Sequence, residues 1–86
     1  MTEEDIIEIG YIEHYFSKIN VAVVGLALPL AIGNRIFIKG PSTDFEQIVD
    51  SMQIERQSIT RAEGGQSIGL KVVQPVKEKD VVYKKL

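Results

Sequence analysis

The chain has 86 residues, a net charge of -2 and a sequence pI of about 5.3. Because it has no cysteine and a single histidine, disulfides, thiolate catalysis, cysteine-built metal sites and multi-histidine metal sites are excluded. With 44% hydrophobic and 26% charged residues it has the composition of one globular domain, and its acidic balance is not typical of a nucleic-acid-binding domain.

No segment of the sequence predicts insertion into a membrane. The longest apolar run, residues 21–32, contains Gly25 and Pro29 and is shorter than the roughly 20 residues that a spanning helix needs. The N-terminus is acidic and lacks the basic region of a signal peptide. We therefore expect a cytoplasmic protein.

The first half of the chain alternates between strand patterns and turn residues. Residues 1–8 predict an N-terminal extension, either the start of a helix capped by Thr2 or a frayed terminus, and residues 9–86 predict a single domain. Segments 9–16, 21–28 and 35–38 have the pattern of strands. Gly25 predicts a bulge or a sharp coil of the strand, Pro29 ends the second strand, and the pair Gly33-Asn34 predicts a tight reversal.

The second half contains one ambiguous segment, residues 44–60. Thr43 and Glu46 form a capping-box pattern, which favours a helix, whereas the same segment also alternates with a period of two, which favours strands. The many strands elsewhere favour the second interpretation. Gly64-Gly65 predicts a turn, and segments 67–73 and 81–83 predict strands. Together these elements predict an all-β domain forming a small closed or nearly closed barrel.

Two short motifs invite a catalytic interpretation that their context does not favour. Residues 65–69 (GQSIG) match the G-x-S-x-G nucleophile elbow, but that motif needs a helix after Ser67 and a later histidine, whereas His14 comes earlier. Residues 64–66 (GGQ) spell the tripeptide of peptide release factors, but two glycines also typify a β-turn. No P-loop is present, so no nucleotide is expected. We predict no catalytic residue, no cofactor and no metal site.

Several segments resemble known families. Residues 32–40 (IGNRIFIKG), 62–70 (AEGGQSIGL) and 21–25 (VAVVG) resemble domain II of translational GTPases such as elongation factor Tu. Residues 14–19 (HYFSKI), 43–47 (TDFEQ) and 51–55 (SMQIE) are more similar to the C-terminal β-barrel of collagenase-like bacterial peptidases and to stand-alone translation elongation factor-like proteins. The resemblance implies a six-stranded Greek-key barrel in which residues 44–60 are mostly strand.

The resemblance also bears on function, because the GTPase and peptidase domains that accompany such barrels are not part of this chain. We expect a non-enzymatic binding module that docks on a protein partner, with a possible role in translation. The alternative is a weak RNA-binding or tRNA-binding module. Its contact residues would be Lys18, Arg35, Lys39, Arg56 and Arg61. A third hypothesis, an enzyme that uses His14 or Ser67, is the least favoured.

Overall fold

The computed structural model describes residues 5–86, which form ten β-strands and no helix. The strands are β1 (Ile6–Phe16), β2 (Val21–Leu26), β3 (Leu30–Ala31), β4 (Arg35–Gly40), β5 (Thr43–Ile48), β6 (Met52–Ile54), β7 (Gln57–Ile59), β8 (Arg61–Ala62), β9 (Ser67–Lys71) and β10 (Val81–Lys85). Within residues 5–86 there is accordingly no apolar helix of membrane-spanning length. The all-β prediction is confirmed.

The strands form one large antiparallel sheet that curls around the core without closing. Eight strands hydrogen-bond in the order β5-β4-β10-β1-β2-β9-β6-β7, and β3 pairs with β8 in a separate ribbon. In the described residues the end strands β5 and β7 do not pair with each other, so the predicted barrel is not closed, and ten strands form where the resemblance implied six. The reason is that segments 52–62 break into three short strands instead of one long closing strand.

The N-terminal extension predicted for residues 1–8 does not keep that boundary. Ile6 pairs with Lys85 and Glu8 pairs with Tyr83, so the first strand already begins at Ile6. The predicted helix start at Thr2 lies outside the described residues. A strand forms here because β10 offers a free edge, and pairing with it satisfies backbone groups that a frayed terminus would leave to water.

The ambiguous segment is strand, as the resemblance implied. In β5 the side chains of Thr43 and Phe45 are buried and those of Asp44 and Glu46 are exposed, which is the alternation of a strand with one face on the core. The β6–β7 hairpin turns at residues 55–56, whose φ angles of 50° and 68° are both positive. That is the geometry of a type I′ turn, which here forms without the usual Asn-Gly pair.

The bulge predicted at Gly25 lies on the neighbouring strand instead. The pairing of β1 with β2 shifts register between Ile12 and His14, so Glu13 is the extra residue. Its side chain crosses over Gly25, where a Cβ would lie 3.0 Å from Glu13 Cδ. Gly25 therefore makes room for the bulged glutamate and carries no bulge of its own.

The core lies inside the curled sheet and is aliphatic. Its fully buried members come from most strands: Ile9, Ile12, Ala22, Val24, Ile36, Ile38, Val49, Ala62, Leu70 and Val82. Asp80 is buried among the strand ends with only 2% of its surface exposed, and its Oδ2 accepts a hydrogen bond of 2.9 Å from the Lys77 N–H. Members of this core come from the first strand and from the last, since Ile9 lies on β1 and Val82 on β10.

Candidate functional site

The two residues considered for catalysis do not come together. His14 lies on β1 and Ser67 on β9, with β2 between them, so their backbones are about 10 Å apart across the sheet. His14 Nδ1 instead lies 3.2 Å from Glu78 Oε2, and its ring meets the edge of the Phe16 ring at a centroid distance of 4.5 Å. Within residues 5–86 no group of three or more acidic or histidine side chains could hold a metal ion.

The Gly-Gly-Gln segment forms the predicted turn. Gly65 has a φ of 91°, a left-handed conformation that side chains rarely adopt. Gln66 Oε1 accepts a hydrogen bond of 2.7 Å from the Glu63 N–H, so the glutamine side chain closes its own turn. The side-chain oxygen of Gln66 is therefore engaged within its own turn.

The five cationic residues of the RNA-binding hypothesis lie on separate elements. Lys18 is in the β1–β2 turn, Arg35 and Lys39 are on β4, Arg56 is in the β6–β7 turn and Arg61 is on β8. In the large sheet, β4 is separated from the β1–β2 hairpin by β10. Only Arg35 and Lys39 share a strand, and because they are four residues apart on β4 their side chains lie on the same face.

Three of these cations are matched by carboxylates. The ion pairs join Arg35 Nη1 to Glu46 Oε2 (3.2 Å), Lys39 Nζ to Asp44 Oδ1 (3.0 Å) and Arg61 Nε to Glu63 Oε2 (2.9 Å). Exposed pairs of this kind add little stability, but they cancel the local positive potential that would attract phosphates. The local charge balance around these three residues therefore does not favour RNA.

A second surface was not singled out from the sequence. It is the side of β1, β2 and β9 that points away from the core, which we call the outer face. Directly paired residues put their side chains on the same side of a sheet, so the registers define three rows across these strands. The rows are Tyr11–Gly25–Ser67, His14–Val23–Gly69 and Phe16–Val21–Lys71.

The outer face is apolar and low along its middle. Tyr11 and Phe16 are 50% and 47% exposed on β1, while Gly69 adds no side chain to the central row and Gly25 lies beneath the side chain of Glu13. A cavity of about 280 Å³ opens at the Tyr11 end, lined also by Glu8 and Glu13 on β1 and by the 65–67 segment. The result is a shallow trough with aromatic rings on one side.

The charges of the outer face are separated along the trough. Glu8 and Glu13 lie at the Tyr11 end, and Lys71 lies at the Phe16 end, next to the turn that carries Lys18. Among residues 5–86, Glu8, Glu13 and Lys71 take part in no ion pair. The sequence signal for this surface is one glycine at an outward position on each of two neighbouring strands. It can be recognised only when the pairing of those strands is known.

Comparison with known proteins points to one group. No known family model matches the chain. It is 38% identical over 78 residues to an uncharacterized protease of Methanocaldococcus jannaschii, a match that covers 90% of this chain and 19% of the protease. The chain thus spans about a fifth of the length of that relative.

Two solved structures share the fold. The C-terminal domain of a U32 peptidase candidate from Geobacillus thermoleovorans matches with a TM-score of 0.84 and 20% identity, covering 91% of both chains. The selenomethionine form of that domain matches with a TM-score of 0.83 and 19% identity, covering 88% of this chain and 96% of that one. These comparisons do not show the resemblance to domain II of elongation factors. The chain has the fold of the C-terminal domain of a U32 peptidase.

Proposed function

We propose that this chain is a non-enzymatic accessory module that docks on a protein partner, the catalytic part of a U32-type, collagenase-like peptidase. The observation that carries the proposal is the pair of matches to peptidases, one in sequence and one in fold. The sequence match covers 19% of the M. jannaschii protease, and the fold match is to a domain named as C-terminal. Each match is therefore to a part of a peptidase and not to the whole of it.

The arrangement of side chains supports a binding role over catalysis. His14 and Ser67 are held apart by β2, and the glutamine of the 64–66 turn is bonded within that turn. A nucleophile and its base must lie within hydrogen-bond reach of each other, about 2.6–3.2 Å, to act together. An accessory module needs no such pair, only a surface that fits its partner.

A chimera tests the proposal. In the M. jannaschii protease, the matched stretch would be replaced by this chain, and the thermal unfolding of the remaining peptidase part would be compared with that of the full-length protein and of a variant lacking the stretch. We expect the chimera to restore most of the stability lost on deletion, because docking to the folded state stabilises it. A chimera that unfolds at the temperature of the deletion variant would contradict the proposal. An unrelated β-domain inserted at the same place is the control.

A further inference from the structure

We propose that the outer face of β1, β2 and β9 is the docking surface, and that it receives an extended segment of the partner with a basic side chain at one end and an acidic side chain about 13 Å away. This inference rests on the proposed docking function and specifies its surface and chemistry. It follows from the shape, the apolar content and the separated charges of the trough.

The shape suits an extended chain. Gly69 lies in the central row, and its neighbours on β2 are Val21 and Val23, which are half-buried. Flanking this floor, Tyr11 and Phe16 expose aromatic surface on β1. Aromatic side chains such as these dominate the energetics of protein interfaces, whereas a solvated sheet face usually carries polar side chains.

The charges set the chemistry of the occupant. At the Tyr11 end, the carboxylates of Glu8 and Glu13 line the cavity without a cationic partner among residues 5–86. A lysine or arginine of the partner would pair with them and could lie against the exposed Tyr11 ring, which attracts cations. At the Phe16 end, Lys71, which forms no ion pair within residues 5–86, would take a carboxylate of the partner.

The spacing of the charges sets the length of the occupant. Gly25, beneath Glu13, and Val21, beside Lys71, are four residues apart on β2, which corresponds to about 13 Å at about 3.3 Å per residue. An extended partner segment therefore needs its two charges at positions i and i+4, which point to the same side, with apolar residues facing the floor between them.

Gly69 offers a clean way to block the trough. A Cβ at this position would lie 3.5 Å from Val21 Cγ1 and 3.8 Å from the Gln53 carbonyl oxygen, both ordinary contacts. Gly69→Leu therefore fills the floor from the outside without entering the core. Ser51→Leu, which adds the same bulk to an exposed loop next to β6, is the matched control.

The first experiment is an NMR titration of the ¹⁵N-labelled chain with the synthetic peptide Ser-Arg-Thr-Val-Thr-Glu-Ser, blocked at both termini, in which the valine between the two charges faces the floor. We expect saturable shifts at the amides of Val23, Gly25 and Gly69, and at least tenfold weaker binding with a peptide in which the two charges are three residues apart. Gly69→Leu should weaken binding at least tenfold and Ser51→Leu less than twofold. Equal binding of both peptides, or no binding by the wild type, would overturn the inference.

Reversing the charge of Lys71 provides an independent test of the inference. Lys71→Glu should lose affinity for the Arg/Glu peptide at least fivefold and regain it with a peptide carrying arginine at both positions, whereas Lys77→Glu, on the loop before β10, should change neither. Failure of the Arg/Arg peptide to restore binding would also count against the inference.

The same variants in the chimera separate this inference from the proposed function. If the chimera restores stability and Gly69→Leu leaves that effect intact, the module docks through another surface and only the inference falls. If the chimera restores nothing while the peptide binds in the trough, the proposed peptidase partner is wrong and the chemistry of the outer face stands.

Discussion

The side chain of Gln47 on β5 holds the backbone of Val73, beyond the end of β9. Gln47 Oε1 accepts a hydrogen bond of 2.9 Å from the Val73 N–H, and its Nε2 donates one of 2.8 Å to the Lys71 carbonyl oxygen. One carboxamide thereby reproduces the two bonds that a paired strand residue would make. It joins the edge strand β5 to the chain at the end of β9, on the far side of the sheet. In the described residues no backbone pairing makes that connection.

This bridge predicts the effect of shortening Gln47. Gln47→Ala should lower the free energy of unfolding by about 1 kcal/mol, because both bonds are lost but the freed backbone groups can bond to water. Gln47→Glu should lose less, since a carboxylate still accepts from Val73 but cannot donate to Lys71. Urea denaturation measures both, with Gln57→Ala on the exposed β7 edge as the control. A Gln47→Ala variant as stable as the control would show that the bridge is not formed in solution.

The two glycines flanking Ser67 should respond differently to substitution. Gly65 lies in the predicted turn, whereas Gly69 lies in regular β9 and has room for a Cβ. Gly65 has a φ of 91° and open space around it, so Gly65→Ala should destabilise by about 1 kcal/mol through backbone strain alone. Gly69→Ala should change stability by less than about 0.5 kcal/mol. Thermal melts compare the pair, and equal losses would refute the assignment.

Gly40 and Asp80 are matched to each other. A Cβ at Gly40 would lie 2.7 Å from Asp80 Cγ, closer than real Cβ contacts allow. Since Asp80 is held by the Lys77 N–H and is almost fully buried, it has little room to move. Gly40→Ala should therefore destabilise by about 1–3 kcal/mol.

A double-mutant cycle checks the cause. In an Asp80→Ala background, Gly40→Ala should cost less than about 0.5 kcal/mol, because the clash partner is gone. The single Asp80→Ala change should itself be destabilising, since it leaves the Lys77 N–H without its acceptor. Simple additivity of the two changes would indicate that Gly40 matters for its backbone conformation and not for Asp80.

The local features of the fold could be predicted from the sequence. Alternating burial marks β5, Pro29 follows the end of β2, and Gly33 adopts a φ of 94° at the predicted reversal, where Asn34 Oδ1 accepts a 2.9 Å bond from the Ala31 N–H. Each depends on residues a few positions apart, which is the range over which propensity and turn chemistry act.

The long-range features could not be predicted. The Gln47 bridge joins residues 26 positions apart, and the bulge at Glu13 depends on how β1 meets β2. The outer face likewise exists only after β1, β2 and β9 take their register, because pairing decides that Gly25 and Gly69 share a side with Tyr11 and Phe16. No periodicity within one segment carries that information.

The RNA-binding alternative can be decided by a titration. Labelled tRNA, charged and uncharged, would be mixed with the chain at low and at physiological salt, and fluorescence anisotropy recorded. We expect no saturable binding at physiological salt, because Arg35, Lys39 and Arg61 are each paired with a carboxylate and the chain carries a net charge of -2.

A variant with Glu46→Gln, Asp44→Asn and Glu63→Gln, which frees the three cations, should bind more tightly than the wild type at low salt. Saturable wild-type binding with a steep salt dependence, weakened by Lys18→Ala and Arg56→Ala, would instead favour the RNA-binding module, because those two cations have no carboxylate partner among residues 5–86.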